Sequence, residues 1–137
     1  MSSLSHATVA DAMHEGVVYC EPDATLMDVA RTMASNRVHC IAVHATAAGR
    51  PDEPRVWGII SDLDLVRAGI QTDGDRPAET ISHTPVISVR PTLPLAQAGE
   101  AMLTHNVSHV VVIDPDAGRP VGILSTLDIA RTLARSA

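Results

Sequence analysis

The sequence predicts an α+β fold in which one supersecondary unit is used twice, and three observations lead there. The phrase GIISDLDL at residues 58–65 returns as GILSTLDI at residues 122–129. A longer stretch, VVYCEPDATLMDVARTMASNRVHCIAV, lies sixty-nine positions ahead of VISVRPTLPLAQAGEAMLTHNVSHVVV, so that Pro22 meets Pro91, Leu26 meets Leu95, Met33 meets Met102 and Val38 meets Val107. Each copy also holds one helix-spaced apolar run between two strand-like segments.

The elements follow in order. A short helical turn opens each unit, near residues 9–13 and 78–81, and leads into a strand at 17–20 or 86–89 that Pro22 or Pro91 breaks. A helix follows, started in the first copy by Thr25 and Asp28, which stand as a capping box. Its apolar residues Leu26, Val29, Ala30, Met33 and Ala34 fall on one face, matched by Leu95, Ala98, Gly99, Met102 and Leu103. A buried strand comes next (CIAV or HVVVI), then a hairpin, a strand ending at Ser61 or Ser125, and a closing helix. The first hairpin carries five extra residues within HATAAGRPDEPR, whose Ala, Gly and Pro content reads as a loop; the second has the tight turn DPDAGRP. The order is β-α-β-β-α. One helical layer covers only one face of the three apolar strands in each unit. The expected architecture is therefore two repeats packed sheet to sheet with pseudo-two-fold symmetry. Residues 1–69 form the first repeat, 70–76 a linker and 77–137 the second.

Composition bounds the function. Apolar residues make up 45% of the 137, but Trp57 and Tyr19 are the only aromatic ones. The core must rest on Val, Ile, Leu, Ala and Met. A formal charge of −6 argues against nucleic acid or an anionic membrane as the main partner. No apolar run nears the ~20 residues of a membrane span, and the N-terminal residues lack the pattern of a signal peptide. A cytoplasmic protein is expected. Cys20 and Cys40 sit in strand-like apolar contexts and read as small buried hydrophobes rather than reactive thiols.

The repeated Gly-x-x-Ser-x-x-Asp supports two readings. Ser61 and Ser125 end a strand and begin a helix, where a hydroxyl accepts from a free N–H of the first turn. Asp64 and Asp128 then stand three positions on, where an acid suits the helix dipole. The same geometry suits a ligand, since a helix start offers N–H groups to an anion and a carboxylate one turn in can accept two hydroxyls.

With these motifs in matching frames, the chain resembles a tandem pair of cystathionine-β-synthase (CBS) domains, a Bateman module. The resemblance runs from about Thr8 to Leu133, carried by Gly58 to Asp64, Gly122 to Asp128, and the Val17–Pro22 and Val86–Pro91 approaches. It implies a regulatory module that binds an adenosyl ligand in clefts between the repeats. Asp64 and Asp128 would hold the ribose, with Ser61 and Ser125 near the phosphate. The base would lie along Val18, Tyr19, Val86 and Ile87. Tyr19 either stacks on the base or packs; its counterpart Ser88 cannot stack, so the two sites should differ. No cofactor is required; the candidate ligands are AMP, ADP, ATP and S-adenosylmethionine. Many relatives place a basic residue just before the Asp. Leu63 and Leu127 stand there, which counts against polyphosphates; Arg67 and Arg131, one turn on, either replace that charge or form a solvated face.

Related modules pair through their closing helices, so a homodimer is expected, with Leu65, Val66, Ile129 and Leu133 on its surface. Nothing in the chain leaves room for a fused enzyme, channel or transporter, so the regulated partner is expected to be a separate protein. The alternative is a ligand-free interaction module acting through that helical surface. No catalytic constellation is expected, since no nucleophile, base and orienting group are placed together. No metal site is expected either. His105 and His109 are spaced for a helix, but the chain turns toward a strand between them.

Overall fold

The structure is a computed structural model that describes residues 3–47, 50–71, 74–83 and 85–135, with backbone alone for 45–47, 50–55 and 57. Three short elements come first, a 3-10 turn (Ser3–Ser5), α1 (Val9–Ala12) and β1 (His14–Glu15). The body of the first repeat comprises β2 (Tyr19–Cys20), α2 (Leu26–Asn36), β3 (Cys40–Ala47), β4 (Arg50–Ser61) and α3 (Asp62–Gln71). A 3-10 turn (Ala78–Thr80) precedes the second, with β5 (Ser88–Val89), α4 (Leu95–His105), β6 (His109–Asp114), β7 (Arg119–Ser125) and α5 (Thr126–Arg135). The β-α-β-β-α order is therefore present in both copies, and the fold is α+β.

The chain forms two compact units, one of Val17–Val86 and one of Met1–Gly16 with Ile87–Ala137. This division is offset from the repeat in sequence. The opening turn of each copy folds with the body of the other, through matching backbone hydrogen bonds. In one unit Val9 N donates to Leu93 O at 2.9 Å, Ala10 N to Pro91 O at 2.9 Å and Leu95 N to Ala7 O at 2.8 Å. In the other, Ala78 N donates to Ala24 O at 2.7 Å, Glu79 N to Pro22 O at 2.9 Å and Leu26 N to Arg76 O at 2.8 Å. The corresponding residues do the same work in each.

Each unit has a small mixed sheet. In Val17–Val86 the order is β2-β3-β4, with β2 parallel to β3 and β4 antiparallel. In the other unit it is β1-β7-β6-β5, with β5 parallel to β6. Period-two alternation sends Ile41, Val43 and Ile60 against Val29 and Met33 of α2, together with Ala78. It sends Val110, Val112 and Leu124 against Leu95, Ala98 and Met102 of α4, together with Val9. Residues pointing to the opposite sheet faces, Ala42, Ile59, Val111 and Ile123, are buried as well. A core without phenylalanine is thus closed by branched aliphatics.

Three expectations need correction. The stretch read as a loop is mostly strand: β3 runs on to Ala47 and β4 starts at Arg50, with register shifts between Val43 and His44 and between Ala45 and Ala47. Its prolines, Pro51 and Pro54, are tolerated because β4 is an edge strand and needs no donor on its outer side. Leu103, placed on the buried face of α4, is 83% exposed. Of the residues expected on the outer helical surface, Leu65 and Ile129 pack on their own cores; Val66 and Leu133 are exposed, joined by Leu63, Ile70 and Leu127. The α2 capping box forms as expected, with Asp28 N donating to Thr25 Oγ1 at 3.1 Å and Thr25 N to Asp28 Oδ2 at 3.3 Å. Among the described residues, no helix is long and apolar enough to cross a membrane.

Candidate functional site

Each Gly-x-x-Ser-x-x-Asp run turns a strand into a helix, and the turn is closed from both sides. Ser61 N and Oγ donate to Asp64 Oδ2 at 2.8 and 2.9 Å, and Asp64 N donates back to Ser61 Oγ at 3.3 Å. Ser125 and Asp128 repeat this at 2.8, 3.0 and 3.2 Å. It is a capping box with aspartate in the third helical position. Both carboxylates are buried, Asp64 at 5% exposure and Asp128 at 2%.

Serine engages only one oxygen of each carboxylate. The other, Oδ1, meets two residues that complete the cluster. His83 Nε2 donates to Asp64 Oδ1, and Arg67 reaches the same oxygen at 3.4 Å. In the other unit His14 Nε2 lies 3.0 Å from Asp128 Oδ1 and Arg131 lies 3.7 Å from it. Arg131 Nη1 also lies 3.4 Å from His14 Nε2, so acid, histidine and arginine of that unit are in mutual contact. The arginines therefore do not form a purely solvated face; they contact the acid one turn back.

The two histidines were missed in the sequence, although a signal was present. His14 and His83 are sixty-nine positions apart, the repeat's own offset, while Asp64 and Asp128 are sixty-four apart. Each histidine comes from the leading segment of one copy and meets the aspartate of the other copy. The motif glycines make this approach feasible. Gly122 pairs with Glu15 across the β1–β7 ladder, and Ile59, beside Gly58, bridges to His83. A Cβ on Gly122 would overlap the His14 carbonyl; one on Gly58 would lie 3.0 Å from the His83 carbonyl oxygen.

The base-side residues lie at the same end of each sheet as the serine. Val18 precedes Tyr19, which pairs with Ala42 and through it Ile59, so Val18 is level with Ile60, next to Ser61. Ile87 is level with Leu124, next to Ser125, by the same register. Val18 and Ile87 are half-buried against their unit's core. Val86 is half-buried at the end of the Val17–Val86 unit. Tyr19 is half-buried and meets the His44 ring edge-on, with centroids 5.8 Å apart. Burial raises the Tyr19 phenol above its ordinary pKa.

Burial pushes the Cys40 thiol up to about 12, with Asp64 and Asp62 adding to the effect. Burial and then Glu21 push Cys20 up to about 11. Both thiols are free and stay protonated at neutral pH, as small apolar groups do. α4 ends at His105, Asn106 turns left-handed, and His109 opens β6. Among the described residues no group of three or more metal-ligating side chains comes together.

A serine–aspartate corner with a buried carboxylate, met by histidine and arginine and written twice in a β-α-β-β-α frame, defines a tandem repeat module. Comparison with known proteins gives it a family. The CBS domain model matches residues 9–70 and 78–135, and the chain belongs to the CBS domain family. It is 25% identical over 126 residues to the CBS domain-containing protein YhcV of Bacillus subtilis, covering 90% of this chain and 84% of YhcV. It is 33% identical to a CBS domain protein from Pyrobaculum aerophilum, solved in complex with AMP, with a TM-score of 0.74 and coverage of 94% of this chain and 99% of that one. A CBS domain pair solved with 5′-methylthioadenosine and S-adenosyl-L-methionine shares the fold at a TM-score of 0.80 and 23% identity, covering 96% of this chain and 98% of that one.

Proposed function

We propose that this chain is a non-catalytic, cytoplasmic regulatory module that binds an adenosyl ligand and signals its occupancy to a separate partner protein. The carrying observation is that each motif aspartate is buried and fixed through Oδ2 while, among the described residues, Oδ1 meets a histidine and an arginine. A ribose can exchange into such a position, its hydroxyls donating where the histidine donates now. Asp64 and Asp128 take the ribose, Ser61 and Ser125 the phosphate side, and Val18, Tyr19, Val86 and Ile87 the base. The AMP complex of the Pyrobaculum aerophilum relative supports an adenine nucleotide; S-adenosylmethionine is the other candidate. Titration calorimetry of the chain with AMP, adenosine and S-adenosylmethionine tests this reading. Binding that Asp64→Ala and Asp128→Ala each weaken supports it; no heat with any of the three removes it.

One observation favours a ligand-free interaction module. Among the described residues every buried side-chain nitrogen or oxygen already has a partner. Leu63, Val66 and Ile70 on α3, and Leu127 and Leu133 on α5, give the closing helices apolar outer positions. Both readings predict a homodimer through these helices, and light scattering that gives the 14.4 kDa monomer at tens of micromolar would exclude it.

A further inference from the structure

We infer that the two aspartate sites differ in ligand charge: the Asp64 site takes a phosphate-bearing ligand, and the Asp128 site, which has no counterpart of Arg76, does not select for one. The inference rests on the adenosyl reading above and assigns a ligand class to each of its sites.

The Asp64 side opens into a pocket of about 180 Å³ within the Val17–Val86 unit, lined by Asp64, Arg67, Arg76, Thr80, Ser82 and His83 among others. That is below the ~300–1,000 Å³ of sites that enclose a whole small molecule, so it suits one end of a ligand. Arg76 is held as a fixed fork, its Nε donating to Thr80 Oγ1 at 3.0 Å and its Nη2 to Thr80 O at 2.9 Å. Its Nη1 is engaged by no described residue. Arg67 makes only the 3.4 Å contact with Asp64 and is otherwise exposed. Two arginines and one carboxylate thus line one pocket, with the Thr80 hydroxyl donating to Pro77 O and the Ser82 hydroxyl to Glu79 O. The nearby acids Asp75 and Glu79 do not line the pocket. A fixed arginine fork beside a second arginine is the arrangement that recognises phosphate oxygens.

The corresponding positions of the other unit lack the second arginine. The aspartate, histidine and following arginine are kept as Asp128, His14 and Arg131. Across the sixty-nine-residue offset, however, Arg76 corresponds to Ala7, Thr80 to Asp11 and Ser82 to Met13. The pocket-lining arginine is therefore lost, although the segment as a whole keeps its net charge, since Asp75 and Glu79 correspond to His6 and Ala10. Asp11 sits on α1, which packs against α5, and accepts from Thr8 N and Oγ1 at 2.9 and 3.0 Å. Those bonds lower its pKa and keep it ionised. A phosphate beside Asp128 would find the single guanidinium of Arg131, already 3.7 Å from that carboxylate, and no second one at the position of Arg76.

The test is titration of the full chain with AMP, adenosine and inorganic orthophosphate. AMP should bind one site per chain, about tenfold or more tighter than adenosine there. Asp64→Ala should remove that site and Asp128→Ala should leave it. Arg76→Gln should abolish the preference for AMP over adenosine, and Arg76→Lys, which keeps the charge but not the fork, should restore only part of it. Two equal AMP sites, or an AMP-to-adenosine ratio unchanged in Arg76→Gln, would overturn the inference. Orthophosphate binding that depends on Arg76, with no adenosine binding, would keep the anion pocket and remove the adenosyl reading. No binding of any of the three would remove both.

Discussion

Replacing Gly122 by alanine tests how the leading segment reaches the buried aspartate. Gly122 has no left-handed φ, so the substitution adds no backbone strain of its own; what it adds is a methyl group where the chain passes closest. The new Cβ would overlap the His14 carbonyl and stand 3.0 Å from Met13 Sδ. Backbone cannot yield as a flexible side chain can, so β1 must move off β7. Overpacking costs about 1–3 kcal/mol. Losing the two-residue ladder of His14 with Ile123 and Glu15 with Gly122 adds roughly 0.5–1.5 kcal/mol per hydrogen bond. His14 would also leave Asp128, whose Oδ2 keeps its bonds from Ser125 while Oδ1 is left with Arg131 at 3.7 Å. A loss of about 2–5 kcal/mol follows. Gly58→Ala should cost less, because the backbone oxygen it meets, His83 O, stands 3.0 Å away and the Ser82 hydroxyl at 2.9 Å can rotate, so only a small shift is needed. Urea denaturation gives both values, and hydrogen exchange of residues 9–15 shows whether the leading segment has come loose. A Gly122→Ala variant with an unchanged midpoint and unchanged exchange at His14 would refute the argument.

Asp128→Ala should destabilise the unliganded chain by about 2–4 kcal/mol in chemical denaturation, well beyond a helix-dipole contact, because Ser125 N–H and His14 lose a buried acceptor. Arg37 closes α2 with φ +54°, so Arg37→Gly should raise thermal stability by about 0.5–1 kcal/mol, whereas Asn106→Gly, at the matching position of α4, should change it by only a few tenths. The thiols give a pH dependence. The unfolded chain loses thiol protons near pH 9 while Cys20 and Cys40 hold theirs to about 11 and 12, so folded-state stability should fall as pH rises from 9 toward 12. Alkylation of the native protein at pH 8 should be slow at both cysteines and much faster in urea; rapid native labelling of Cys40 would contradict its burial.

The secondary structure was legible wherever a local period or cap specified it. Thr25 with Asp28, the i, i+3, i+4 run of α2 and the strands CIAV and HVVVI all carry their assignment within a few residues. HATAAGRPDEPR misled because composition speaks for loops, whereas pairing along an edge ladder depends on the partner strand and tolerates Pro on the free side. Leu103 misled because a helix face one residue too wide looks the same in sequence. The exchange of leading segments was not legible at all. Backbone hydrogen bonds from Ala7–Ala10 to Pro91–Leu95 carry no side-chain signature, and nothing local says which copy they join.

That exchange is also why half of each site escaped the sequence reading. The serine, the aspartate and the arginine sit within seven residues, and helix geometry alone brings them together. The histidine arrives from the far copy, through a strand only two residues long in one unit and a single bridge in the other. Glycine in the motif then has a reason that neither capping nor ligand binding supplies: it admits the backbone that delivers the histidine. The capping box and the binding corner are not rival accounts of Ser and Asp. Capping consumes Oδ2 and fixes the carboxylate, and the fixed carboxylate is what holds Oδ1 toward its exchangeable partner. A ligand that donates two hydroxyls at Oδ1 competes with histidine and arginine, not with the cap, so helix and site can respond to occupancy separately. Side-chain signals of His14 and His83 should therefore move on binding while the Ser61 and Ser125 amides stay protected.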